Sequence, residues 1–99
     1  MAKLVKNKKG FKVIKLSQEE TKRMGWGIDI FGKCLCMHCN EIIKDDIYYI
    51  VVLHDTMDKE CYEKWLETAI NYPEDRDIEE MEYKGFLKFF KEVVKVDED

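Results

Sequence analysis

Cysteine spacing constrains this chain more than any other feature. Cys36-Met37-His38-Cys39 sets two thiols three residues apart, and Asp58-Lys59-Glu60-Cys61 follows across eighteen intervening residues. Two thiols at that spacing grip one side of a tetrahedral zinc ion from a tight turn, and a second i, i+3 pair opening a helix grips the other. The pattern points to a small zinc module. Only Cys61 is a thiol in the second half, so three ligands are thiols and the fourth is open.

Composition sets the frame for that module. Ninety-nine residues make one domain that buries about two-thirds of its unfolded surface, so a metal staple would add to a modest core. With 45% apolar and 38% charged residues the chain is neither disordered nor membrane-embedded, and no apolar run approaches the roughly 18 residues of a membrane span. Residues 1–9 lack the hydrophobic segment and cleavage site of a secretory signal, so the protein is expected in the cytoplasm. Cysteines are kept reduced there, and Cys34, Cys36 and Cys39 are crowded together, so metal ligation is expected rather than disulfide pairing.

The chain reads as one domain in three parts. In residues 1–32, Leu4-Val5 and 11–16 flank a turn at Gly10 and form a hairpin, Ser17-Gln18-Glu19-Glu20 is a capping box opening a short helix, and Gly25 ends it. Gly25 to Gly32 is expected to be a connection or short strand. In residues 33–72 the cysteine turn leads to a second hairpin, with 41–43 pairing the β-branched and aromatic run Ile47-Tyr48-Tyr49-Ile50-Val51-Val52-Leu53. Tyr62, Trp65, Leu66, Ala69 and Ile70 then recur at helical spacing from Lys59 until Tyr72-Pro73. In residues 73–99, Asp77-Ile78-Glu79-Glu80 is a capping box for a last helix whose apolar side is Ile78, Met81, Phe86, Phe89, Phe90 and Val93. Whether Met24, Trp26 and the stripe from Phe86 to Phe90 serve core or interface is open, although aromatics at helical spacing are usually core.

The order cysteine turn, hairpin, then helix beginning at the remaining ligands resembles treble-clef and LIM-like zinc modules over residues 33–70. The expected fold is therefore α+β, a small zinc-stabilised domain of β-hairpins with a treble-clef-like zinc knuckle and two C-terminal helices. A helix N-terminus favours thiolates through its dipole, which suits Cys61. Three side chains compete for the fourth position. Asp58 comes first, because it stands where a second CxxC would begin and the resemblance implies that aspartate is accepted there; it is equally suited to be a helix N-cap. His54, a good zinc ligand at the expected end of the strand, comes second, and Cys34 third. His38 reads as an exposed residue of the turn.

With its flanks included, the pattern Gly10-Phe11-Lys12-Val13-Ile14, Cys36-Met37-His38-Cys39-Asn40, the strand 48–53, Cys61-Tyr62-Glu63-Lys64-Trp65 and Tyr72-Pro73-Glu74-Asp75 resembles small proteins of bacteriophages and mobile elements. Those relatives typically carry CxxC in both halves, so Asp58 takes the place of a cysteine. The likeness implies a setting and a metal, not a reaction.

No HxE…PCxxC, HExxH or P-loop pattern is present in the sequence, so a structural rather than catalytic zinc is expected. A thiol–disulfide active site at Cys36 and Cys39 would need a helix starting at the motif, and Ile42-Ile43 do not supply one. The expected function is a non-enzymatic module that binds a protein partner, with no small-molecule substrate. Glu74, Asp75, Asp77, Glu79, Glu80 and Glu82 form its expected contact surface, mimicking phosphates to inhibit a host nucleic-acid machine; an anti-CRISPR role fits the setting implied by the resemblance. The alternative is a zinc-finger-type nucleic-acid binder using Lys3, Lys6, Lys8, Lys9, Lys12 and Lys15. Against it stand the net charge of −4 and the acidic stretch 74–82.

Overall fold

The computed structural model describes residues 2–25 and 33–98, so the expected connection through Trp26 to Gly32 lies outside the described residues. The first hairpin forms as read. Strand β1 (Ala2–Val5) pairs antiparallel with β2 (Val13–Leu16), with Leu4 opposite Ile14 and Val5 opposite Val13. The turn between them is pinned by Asn7, whose Oδ1 accepts the N–H groups of Lys9 and Phe11, with Gly10 at φ 79°.

Helix α1 (Gln18–Met24) has both halves of its capping box, since Ser17 Oγ accepts the Glu20 N–H and Glu20 Oε1 accepts the Ser17 N–H. Gly25 closes the helix at φ 72°, a left-handed conformation that costs a side-chain-bearing residue roughly 1–2 kcal/mol. A Cβ there would meet nothing within 4 Å, so the cost of Gly25→Ala is conformational alone. Urea unfolding should show Gly25→Ala and Ser17→Ala each losing about 1 kcal/mol.

The second hairpin differs from expectation. Strand β3 (Ile47–Ile50) pairs with β2 on one side and with β4 (Asp55–Met57) on the other, whereas Ile42 makes an isolated bridge to Leu35. The expected strand to Leu53 stops at Ile50, because residues 51–54 turn: the Leu53 and His54 N–H groups both bond the Ile50 carbonyl, and His54 sits at φ 58°. Val51 is buried all the same, so its β-branched side chain serves the core from a turn.

Tyr48 and Tyr49 show why β3 is apolar throughout. Neighbouring residues of a strand point to opposite faces. Tyr48 stacks on Tyr62 of α2 (Lys59–Thr68), ring centroids 4.7 Å apart, while Tyr49 stacks on Phe86 of α3 (Asp75–Phe89) at 5.3 Å. The sheet is thus covered by α2 on one face and α3 on the other, and β3 reads as a strand buried on both sides. Chain 96–97 adds the unexpected β5 (Val96–Asp97), parallel to β1, and completes the order β4-β3-β2-β1-β5 among the described residues. None of the described helices is long and apolar enough to cross a membrane.

Two further corrections concern α3. It starts at Asp75 rather than Asp77, because the turn at Tyr72-Pro73 delivers the chain directly into helix, and Asp77 to Glu80 lie within it. Its inner face is Glu79, Tyr83 and Phe86, not the expected Ile78 and Met81, which are exposed together with Phe89. Glu79 can turn inward because it has partners: its carboxylate meets the Arg76 guanidinium and accepts the Lys12 N–H at 3.2 Å. Ile70, expected on the apolar side of α2, lies beyond the end of that helix and is exposed.

Candidate metal centre

Residues 35–42 form a small hairpin of their own. Leu35 bridges Ile42, the Cys36 N–H bonds the Glu41 carbonyl at 2.9 Å, and the Asn40 N–H returns to the Cys36 carbonyl at 2.8 Å with Asn40 at φ 64°. Asparagine tolerates that left-handed position, which lets the turn close over both cysteines. The knuckle is fastened to β4, where the Met37 N–H bonds the Thr56 carbonyl at 2.8 Å and the buried Thr56 hydroxyl bonds the Leu35 carbonyl at 2.9 Å. Gln18 of α1 clamps its base, accepting the Cys34 N–H at 2.9 Å and donating to the Ile43 carbonyl. Thr56 and Gln18 are support residues with no signature in the sequence, since each acts across many intervening positions.

The strand β4 then delivers the chain to α2, whose first turn faces the knuckle. Asp58 is the N-cap, and its two oxygens divide the work: Oδ1 accepts the Cys61 N–H at 2.7 Å, while Oδ2 lies 3.5 Å from Cys39 Sγ. Helix cap and candidate ligand are therefore the same carboxylate. One sulfur each from Cys36, Cys39 and Cys61 and one oxygen from Asp58 all lie within 4.8 Å of one another. Zinc–sulfur bonds of about 2.3 Å in a tetrahedron put neighbouring sulfurs about 3.8 Å apart, so modest side-chain movement would close these donors on one ion.

Electrostatics at the cluster distinguish its members. Burial raises the Cys36 thiol, but the backbone N–H groups of Cys39, Asp58 and His38 more than offset this and hold it below the ordinary thiol value. The Cys61 N–H holds the Asp58 carboxyl below the usual carboxylate range. Burial drives the Cys61 thiol up, and Cys36, Asp58 and Cys39 beside it drive it further. Three thiols and a carboxylate this close resist being anionic together, and a divalent cation is what removes that opposition.

The other candidates lie elsewhere. His54 is in the turn between β3 and β4, its Nε2 2.7 Å from Glu82 Oε2 of α3. Cys34 is fully buried beneath the knuckle, its Sγ 3.8 Å from the Leu35 carbonyl, and burial pushes its thiol up. His38 is exposed in the turn. Of the six acidic residues expected to meet a partner, Glu79 is only 2% exposed and is corrected to a core residue. Glu80 pairs with Lys12 and Lys84, and Glu82 with His54. Two lysines of the first hairpin are also committed internally: Lys9 Nζ bonds the Glu67 and Ala69 carbonyls at the end of α2, and Lys12 lies over the Tyr83 ring.

No family model matches this chain, and no curated protein or solved structure is significantly similar to it.

Proposed function

We propose that Cys36, Cys39, Asp58 and Cys61 hold one zinc ion in a structural site, and that the chain works as a non-enzymatic protein-interaction domain. The observation that carries the metal is the convergence of four donor atoms within 4.8 Å, from a knuckle and a helix N-terminus. Three thiolates select a soft or borderline ion over magnesium or calcium. Four protein donors leave no open position for a reacting water, which separates a structural zinc from a catalytic one. Its work would be to fasten the knuckle to the junction of β4 and α2. A contact role is supported by Met81 and Phe89, 67% and 80% exposed on α3.

Elemental analysis of the untagged protein tests the site. One zinc per chain is expected, lost in Cys36→Ser and Cys61→Ser and kept in His54→Ala and Cys34→Ala. Asp58→Asn keeps an N-cap but should weaken zinc binding by at least about 100-fold in chelator competition, because it gives up the anionic ligand. A metal-free protein would overturn the proposal, and so would loss of zinc in His54→Ala with retention in Asp58→Asn.

A further inference from the structure

Helix α3 carries an apolar stripe that the fold leaves uncovered. Ile78, Met81 and Phe89 are 46%, 67% and 80% exposed, and with Gly85 they recur at helical spacing along one side. None of them is on the inner face, which is built from Glu79, Tyr83 and Phe86. An apolar groove lined by Tyr49, His54, Glu82, Phe86 and Phe90 adjoins the stripe and shares Gly85 and Phe89 with it. A Cβ on Gly85 would meet nothing within 4 Å, so the helix backbone is open to close approach there.

The charges of α3 say what can lie on it. Its first half carries Asp75, Asp77, Glu80 and Glu82, with Arg76 held by the buried Glu79, and its second half Lys84 and Lys88, followed by Lys91 and Glu92. Glu80 pairs with Lys12 and Lys84 and Glu82 with His54, so Asp75 and Asp77 at one end and Lys88 and Lys91 at the other carry the asymmetry. The helix dipole accounts for acids first and lysines last, but it gives no reason for an exposed Phe89. A second α3 laid antiparallel brings each acidic half against a basic half, whereas a parallel one sets like charges together. The sequence is self-complementary in that one orientation.

We infer that two copies of this chain pair along α3, antiparallel about a two-fold axis near the middle of the helix. Such an axis sets Ile78 against Phe89 of the second copy, Met81 against its Gly85, and Asp77 near its Lys88. The inference rests on the reading of the chain as an interaction domain and not on its metal.

Sedimentation equilibrium of the full zinc-loaded chain from about 1 µM to 1 mM tests it, with the zinc content and mass of the same samples read by native mass spectrometry. A monomer–dimer equilibrium is expected, weakened by salt. Phe89→Glu and Met81→Glu should each raise the dissociation constant at least about tenfold while leaving unchanged the thermal melt read at concentrations where the chain is monomeric. Asp77→Lys and Lys88→Glu should each weaken self-association, and their equimolar mixture should restore it, because in the mixed pair opposite charges face each other again. A monomer at every concentration, a dimer indifferent to both glutamate substitutions, or a mixture no tighter than its components would overturn the pairing. A zinc-loaded monomer defeats only the dimer, and a metal-free dimer defeats only the metal site.

Discussion

Stripping zinc from the folded protein with a strong chelator is expected to lower its melting temperature by more than about 15 °C and to release the knuckle from α2. Structural zinc in small domains contributes roughly 10–16 kcal/mol at neutral pH, as much as the whole stability of a typical domain. Only part of that is expected to be lost here, because none of the five strands carries a donor residue and the stacked tyrosines tie the sheet to α2 and α3 independently of the cluster. A residual loss of about 3 kcal/mol in a chain of this length already corresponds to 12–24 °C, roughly. The loss should be local in origin. Residues 35–42 hold together by a few backbone bonds around one isolated bridge, and without a cation nothing joins Cys36 and Cys39 to Asp58 and Cys61 but the contact of their side chains. Cys36→Ser should reproduce the chelated melt, and chelator should then have no further effect. Identical melts with and without chelator would contradict this.

The second large effect is expected at Glu79. Glu79→Ala should destabilise the domain by about 3 kcal/mol in urea unfolding, because it strands a guanidinium and a backbone N–H that the carboxylate satisfies. Arg76 spans the carboxylate, the Gly10 carbonyl at 3.4 Å and the Phe11 ring at 5.5 Å, tying α3 to the β1–β2 turn. Its Nε and Nη2 are buried with no hydrogen-bond partner among the described residues, so the loss of Glu79 leaves the guanidinium only the long bond to the Gly10 carbonyl. Arg76 is one-third exposed, which keeps the figure at the low end of the range for a buried pair. Replacing both partners, as Arg76→Met with Glu79→Leu, should recover most of the loss. A Glu79→Ala protein within 1 kcal/mol of the parent, roughly, would show the pair to be dispensable.

The two effects mark where local sequence speaks for the fold and where it does not. Cys36, Cys39, Asp58 and Cys61 were legible as a group because each half is a short-range pattern, and a knuckle and a helix N-terminus need few residues to specify them. Asp58 was legible both as cap and as ligand, and its two oxygens make those readings compatible. The first hairpin and the capping box at Ser17 were readable for the same reason.

Long-range contacts were not readable. Val51, Val52 and Leu53 carry every mark of a strand, and the chain turns there without a glycine, asparagine or proline to announce it. The periodicity of α3 puts Ile78 and Met81 inside, whereas the partners that make Glu79 a core residue include a backbone N–H sixty-seven positions away. Strand β5 is two residues long and exists only because β1 offers it an edge. The same exchange of faces that buries Glu79 leaves Met81 and Phe89 in solvent, and so it creates the surface on which two chains would meet.

Zinc K-edge X-ray absorption of the purified protein bears most directly on the account. It should show three sulfur neighbours at about 2.3 Å and one light neighbour at about 2.0 Å without the scattering signature of an imidazole, as Cys36, Cys39, Cys61 and Asp58 require. Four sulfurs would bring in Cys34, an imidazole would bring in His54, and a six-coordinate oxygen shell would mean that the cysteines do not hold the ion at all; any of these contradicts the site described above.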